Sequence, residues 1–280
     1  MENHTTGTGQ TGHEGFPDRY GEWALVAGAS EGIGVAFARA LAQRGMNLVL
    51  AARRKVLLDE LAKDLHERFG IQTLCVDGDL ASPDFLENLG NIASRRDLGM
   101  LVYNAAHAPV GDFDSADISD LSRVVDVNVR GPVTLLRMVL PSMIERGRGA
   151  VILMSSLAGN QGTPRIAAYA ASKAFNRILA EGLWYELRHK GIAVISCFAG
   201  AVRTPGYTNT AGKDAPGTLD PGVVVEKTLQ ALGRKPLIVP GFINRVAYGI
   251  MGRLLPRKTA IGIMAGSTRD LARSGTSKES

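Results

Sequence analysis

The sequence predicts an α/β fold in which a parallel sheet of about seven strands is wound on both faces by helices. Short apolar runs alternate with segments of helical period along most of the chain. The first of these runs passes directly into a glycine-rich turn and then a helical pattern. With 280 residues, 45% of them hydrophobic, the chain can form one large core without disulfide or metal staples.

The apolar runs fall at residues 23–27, 48–51, 73–76, 100–103, 150–154, 192–198 and 237–239, each short enough for a strand buried on both faces. Helical spacing lies between them at 33–44, at Leu58, Leu61, Leu65 and Phe69, and at 118–143, 168–189 and 223–232. Alternation of this kind implies right-handed crossovers and a doubly wound sheet. Residues 1–18, rich in Gly, Thr and His, read as a disordered tail, and no basic stretch followed by an apolar one marks a leader there. A cytoplasmic protein is expected. The dinucleotide-scale domain then runs over 19–240, and 241–280 form a C-terminal amphipathic extension of the same domain.

Several function classes are disfavoured. Cys75 and Cys197 stand far apart and the five histidines form no zinc-type pair, so neither a disulfide framework nor a metal site is expected. The net charge is +5, yet Lys and Arg are scattered along the chain, which argues against nucleic acid and suits an anionic cofactor or a membrane surface. No apolar stretch reaches the roughly twenty residues of a membrane span; 237–255 comes nearest, interrupted by Pro240, Asn244, Arg245 and Arg253.

After the first strand comes Gly28-Ala29-Ser30-Glu31-Gly32-Ile33-Gly34. Glycines there let the backbone turn tightly against a pyrophosphate, while the following helix offers free N–H groups and a partial positive charge. At the end of the second strand, where a carboxylate would accept from an adenosine ribose, the chain has Arg53-Arg54. A guanidinium pairs with a 2′-phosphate through two N–H groups, so NADP(H) is the expected cofactor, with Arg53 the chief contact and Arg54 and Ser30 secondary ones. The alternative is that both arginines only solvate a helix start.

Tyr169 and Lys173 share one helix face at i and i+4, and Ser156 lies thirteen residues before Tyr169, directly after the fifth strand. A ketone that accepts hydride at carbon must receive a proton on its developing alkoxide, and a tyrosine can supply it. A free phenol, with a pKa of roughly 10, is ionised only about one part in a thousand at pH 7. An ammonium at about 4 Å in an effective dielectric near 20 contributes on the order of 4 kcal/mol, enough to lower that pKa by roughly three. Lys173, helped by the positive nicotinamide ring of an oxidised cofactor, is expected to provide much of this.

The G-x-x-x-G-x-G turn, Tyr169-x-x-x-Lys173, Ser156 and Asn128 together resemble the short-chain dehydrogenase/reductase family, over about residues 21–240. The resemblance implies a Rossmann-type fold, a nicotinamide cofactor and catalysis by Asn128, Ser156, Tyr169 and Lys173. In it, Lys173 also holds the nicotinamide ribose and Asn128 helps hold a water that reconnects Lys173 to solvent. Ser155 is a rival for the role of Ser156. The family pattern further places Asp79 and Leu80 at the adenine, and Asn104, Ala105 and Ala106 along the ribose. It also places Val202 and Thr204 at the nicotinamide. Departures are Ala27 for Thr, Ala106 for Gly and Ala199 for Pro. The opening segment and apolar tail look similar to hydroxysteroid dehydrogenases and long-chain ketoacyl reductases, which implies an apolar ketone or alcohol substrate. A ketoacyl thioester is the alternative substrate, and a cofactor-binding regulatory protein the alternative class. A homodimer or homotetramer is usual for the family.

Two segments bear on the substrate. Residues 203–220, rich in Thr, Gly and Pro after the sixth strand, read as a mobile substrate loop or a plain surface loop. Ile243, Val246, Ala247, Ile250, Met251, Leu254 and Leu255 fall on one helical stripe. It could pack in the core or against a subunit, roof the substrate site, or lie on a membrane surface.

Overall fold

The computed structural model describes residues 15–208 and 214–275. Seven strands form one parallel sheet in the order β3-β2-β1-β4-β5-β6-β7, as the alternation of apolar runs predicts. In chain order the elements are α1 (Phe16–Tyr20), β1 (Trp23–Ala27), α2 (Gly32–Ala42), β2 (Asn47–Ala52), α3 (Lys55–Phe69), β3 (Thr73–Asp77) and α4 (Pro83–Ser94). There follow β4 (Leu98–Tyr103), α5 (Ile118–Val125), α6 (Gly131–Glu145), β5 (Gly149–Ser156) and α7 (Ala167–Leu187). The chain continues through β6 (Ile192–Ala199), α8 (Pro205–Thr208), α9 (Pro221–Ala231), β7 (Leu237–Ile238), α10 (Phe242–Gly249) and α11 (Arg257–Gly275).

Strand side chains alternate between two cores. Val26, Leu50 and Val102 pack with Phe37 and Leu41 of α2, Leu58 of α3 and Val224 of α9. Leu25, Leu101 and Val151 pack on the other face with Leu86 of α4, Leu135 of α6 and Leu187 of α7. Since β1 lies between β2 and β4, the winding direction reverses there, and a crevice opens at the carboxyl ends of β1 and β4.

Four expectations need correction. The proposed tail ends earlier, because Phe16–Tyr20 form a helix whose Tyr20 is buried and whose two rings meet edge to face at 5.3 Å; residues 1–14 lie outside the described residues. α4 was not expected, although Ser82 caps it by accepting from the Phe85 N–H at 3.3 Å and Pro83 opens it. The helix expected over 118–143 is interrupted by a π turn, Asp126–Arg130. The stripe on 243–255 does not enter the core: Ile243, Val246, Ile250 and Leu254 are exposed, and a second π turn, Ile250–Leu254, ends the helix. No helix among the described residues is long and apolar enough to cross a membrane.

Candidate active site

The crevice at the β1/β4 reversal is a cleft of about 380 Å³. Its floor is the glycine turn. Gly28 takes φ 87° and Gly32 φ 57°, where side chains are strained. A Cβ on Gly28 would lie 2.7 Å from the Ala105 main chain, and one on Gly32 2.7 Å from Thr204. Gly34 lies below the floor, its α-carbon against the Gly28 carbonyl, which also accepts from Asn104 Nδ2 at 3.0 Å. No side chain caps the first turn of α2, so its N–H groups face the cleft unsatisfied by a cap. This bare backbone cradle with a helix dipole behind it fits the pyrophosphate of a dinucleotide.

Ser30, Glu31, Ile33, Arg53, Arg54, Asp79, Leu80, Asn104, Ala105, Ala106 and Thr204 also line the cleft, as expected. The two arginines are not equivalent. Arg54 donates to Ser30 Oγ at 3.1 Å and pairs with Glu31 at 2.9 Å, which neutralises a carboxylate that would otherwise oppose phosphate. Arg53 is exposed at the rim and makes no ion pair with any described side chain. It is the guanidinium available to an anionic ligand.

Asp79 is already engaged. Its carboxylate accepts from Arg123 Nη2 at 2.9 and 2.8 Å and from the Ala81 N–H at 3.0 Å. Partial burial raises its pKa, but these hydrogen bonds outweigh that and hold it below the usual carboxylate value. Arg123, on α5, lines the cleft and was not expected from the sequence, because the pairing spans 44 residues. His107 was also missed. It lines the cleft, and its Nε2 lies 2.8 Å from Asp120 Oδ1.

Val202 does not reach the cleft. Its side chain is buried in the core and its backbone bridges to Leu219, whereas Thr204 and Gly206 of the same segment line the cleft. Arg203 fastens the same loop through Asp214 at 2.7 Å and Asp220 at 2.8 Å. The expectation of a mobile loop falls partly on residues 209–213, outside the described residues.

The four side chains expected to carry catalysis meet where β5, α7 and the first π turn converge. Ser155 and Ser156 separate cleanly. Ser155 Oγ is buried and donates to the Lys173 carbonyl at 2.6 Å, which ties β5 to α7. Ser156, with its side chain on the opposite face, stands near enough to Tyr169 to lower its hydroxyl, and its Oγ accepts from the Ala158 N–H at 3.2 Å. The rival is thereby a structural residue.

Lys173 is buried, with Nζ donating to the Met154 carbonyl at 3.0 Å and lying 5.5 Å from the Tyr169 ring centroid. Burial pushes its pKa down to about 8, against a small opposing effect of Cys197. Burial also pushes Tyr169 above the ordinary phenol value, and nearby Ser156 offsets part of that. The expected depression of the phenol by Lys173 is not seen here: the ammonium sits over the ring and bonds to a carbonyl, and burial dominates the hydroxyl. A tyrosine held neutral in this way can donate a proton to a developing alkoxide.

Asn128 is fully buried by the π turn, which rotates it inward. Its Oδ1 accepts from the His107 N–H at 2.8 Å, and its Nδ2 donates to the His107 carbonyl and to Ser172 Oγ, each at 2.9 Å. Both Nδ2 protons are thus used by the chain itself, while Oδ1 keeps one acceptor lone pair.

The whole-chain comparisons agree with this geometry. Residues 22–214 match the family model for short chain dehydrogenase. The chain is similar to a 7beta-hydroxysteroid dehydrogenase of Clostridium sardiniense, 34% identical over 82% of this chain and 89% of the other. It is also similar to a very-long-chain 3-oxoacyl-CoA reductase of Anas platyrhynchos, 35% identical over 63% of this chain and 58% of that longer protein. Among solved structures, a short-chain dehydrogenase from Sphingobium yanoikuyae in complex with NADPH superposes with a TM-score of 0.72 at 28% identity, covering 92% of this chain and 96% of the other.

Proposed function

The chain belongs to the short-chain dehydrogenase family, and from that premise we propose that it interconverts a ketone and a secondary alcohol with NADP(H), on an apolar substrate. The observation that carries this reading is a half-buried Tyr169, its phenol held neutral and Ser156 near it, together with a glycine-floored cleft whose rim presents Arg53. When bound, the nicotinamide cofactor supplies or accepts the hydride. The chain's own residues do the rest. The Gly28 to Gly34 turn and the start of α2 hold the pyrophosphate, and Arg53 pairs with the 2′-phosphate, with Arg54 and Ser30 beside it. Asp79 accepts from the adenine with a lone pair left over from Arg123. Lys173 holds the nicotinamide ribose.

In reduction, Tyr169 donates its proton to the substrate oxygen while Ser156 donates a hydrogen bond to the same atom, so the alkoxide forms against two fixed donors. Asn128 positions His107 and Ser172, hence the wall and helix on either side of the tyrosine. A cleft of about 190 Å³ opens beside Tyr169, with Pro109, Val110, Phe113, Leu121 and Ile166 on its apolar wall and Asp112, Asp117, Asp120 and Arg165 also lining it. Its apolar wall supports a steroid-like or long-chain carbonyl compound, as does the chemistry named for the hydroxysteroid relative. Similarity to the 3-oxoacyl-CoA reductase supports a second reading, a β-ketoacyl thioester in the same cleft. Exposed Ile118, Ile178 and Tyr185 on α5 and α7 support pairing between copies through those helices.

The test is optical assay of NADPH and NADH oxidation against steroid ketones, β-ketoacyl thioesters and small aldehydes. Turnover of a steroid or other bulky ketone with at least about tenfold preference for NADPH is expected. Tyr169→Phe should lower kcat by about 10²–10⁴-fold. Equal efficiency with the two cofactors would sink the 2′-phosphate assignment, and near-wild-type turnover by the phenylalanine variant would sink the mechanism.

A further inference from the structure

α10 and the π turn after it point their apolar stripe away from the protein. Phe242 is 72% exposed and Leu254 76%, with Ile243, Val246 and Ile250 between them also exposed. The opposite face is the anchored one. Buried Asn244 donates to the carbonyls of Gly217 and Pro240, each at 3.0 Å, and the Tyr248 ring meets Phe198 edge to face at 5.3 Å. Rolling the helix to bury its stripe would strip those carbonyls of their donor, so the stripe is fixed outward.

The charge around it is one-sided. From Lys227 to Arg269 the basic residues are Lys227, Arg234, Lys235, Arg245, Arg253, Arg257, Lys258 and Arg269, with no Asp or Glu between them. These eight exceed the +5 of the whole chain, so the rest of the protein is net acidic. The basic residues are therefore less scattered than counting them alone suggests. Arg245, Arg253, Arg257 and Lys258 are exposed, and no carboxylate among the described residues pairs with them.

From this we infer that the α10 face docks on an anionic phospholipid bilayer. Phe242, Ile243, Val246, Ile250 and Leu254 enter the boundary of the acyl region, and the flanking arginines reach the lipid phosphates. A second copy of the chain is a poorer occupant. A two-fold contact sets each patch against itself, bringing arginines together with no carboxylate to neutralise them. The surface requires nothing of the reaction proposed above.

The experiment is co-sedimentation of the full chain with vesicles of mixed phosphatidylcholine and phosphatidylglycerol, and in parallel with pure phosphatidylcholine vesicles. Binding to the anionic vesicles is expected to exceed the neutral ones by at least about tenfold and to fall steeply with added salt. Arg245→Glu with Arg253→Glu should abolish the difference. Leu254→Asp should abolish binding while preserving cooperative unfolding. Because an acidic substitution could itself disturb the helix, Phe242→Trp supplies a conservative readout: its emission should be quenched by brominated anionic lipid. Equal partition between the two vesicle types, or no added quenching, overturns the inference. So does a lipid-independent dimer in sedimentation velocity that Leu254→Asp converts to monomer, since a second copy then covers the face.

Discussion

Lys173 carries the clearest physical cost in the site. A buried ammonium whose pKa is pushed down to about 8, from an ordinary value near 10.5, is held in the folded state against its solvation preference. The sign of the linkage follows from that direction. Below about 8 both folded and unfolded chains carry the proton and the full desolvation cost is present; between 8 and 10.5 the folded chain sheds it first. Stability contributed by this site therefore rises with pH across that window, by about 3 kcal/mol in total. Denaturant titrations of wild type and Lys173→Met should show it as a difference. The variant's relative stability should fall by roughly that amount from pH 7 to pH 10.5. A flat difference would place the ammonium in a wetter site than the geometry shows. The sequence made Lys173 legible through its spacing from Tyr169, yet not the Met154 carbonyl that receives it, because strand and helix are brought together only by the fold.

At the level of elements, the strands were legible because apolar runs buried on two faces leave a strong signal, and each was found to within two residues at either end. The misses have physical reasons. α4 has the spacing of Phe85, Leu86, Leu89, Ile92 and Ala93 behind a Ser82-Pro83 start, a signal present in the sequence and passed over. The π turn has no such signal, since one added residue in a helix leaves composition unchanged. The α10 stripe shows a further limit: periodicity tells which residues share a face, never what that face meets. The turn into α2 is the element where sequence and structure agree most closely, and it carries a prediction. A methyl on Gly34 would collide with the Gly28 carbonyl, the acceptor that Asn104 uses to fasten β4 to the turn. Gly34→Ala should weaken NADPH binding by about tenfold or more in calorimetric titration, at a cost of roughly 1.4 kcal/mol or above. Affinity within twofold of wild type would show that the turn yields without losing its cradle.

Across the whole molecule, the candidate site occupies the carboxyl edge of the sheet while a separate ionic cluster fastens the amino edge. Asp97, at the start of β4, lies 2.9 Å from Arg146 Nε and 2.8 Å from Arg148 Nη2 and accepts from the Glu22 N–H at 3.3 Å. Arg146 also donates to the Leu98 carbonyl at 2.8 Å, and Arg148 to the Asp18 carbonyl at 3.0 Å. One carboxylate thus joins α1, β1, β4, the end of α6 and the start of β5. None of this was read from the sequence, where Arg146 and Arg148 follow a helix and resemble ordinary surface charge. Both partners of each pair are roughly a quarter to two-fifths exposed, so solvent screens the pairs and the cost of losing Asp97 is smaller than for a fully buried network. Asp97→Ala should lower unfolding free energy by about 1–3 kcal/mol, since Arg148 and the Glu22 N–H lose their acceptor and Arg146 its counter-charge together. Because the cluster and the tyrosine lie at opposite edges of the sheet, kcat and KM at a temperature where the variant is folded should stay close to wild type. Denaturant unfolding and steady-state kinetics on the same preparation decide the matter. A large drop in kcat without a stability change would mean that strain at the amino edge reaches the site, and that the sheet does not insulate one edge from the other.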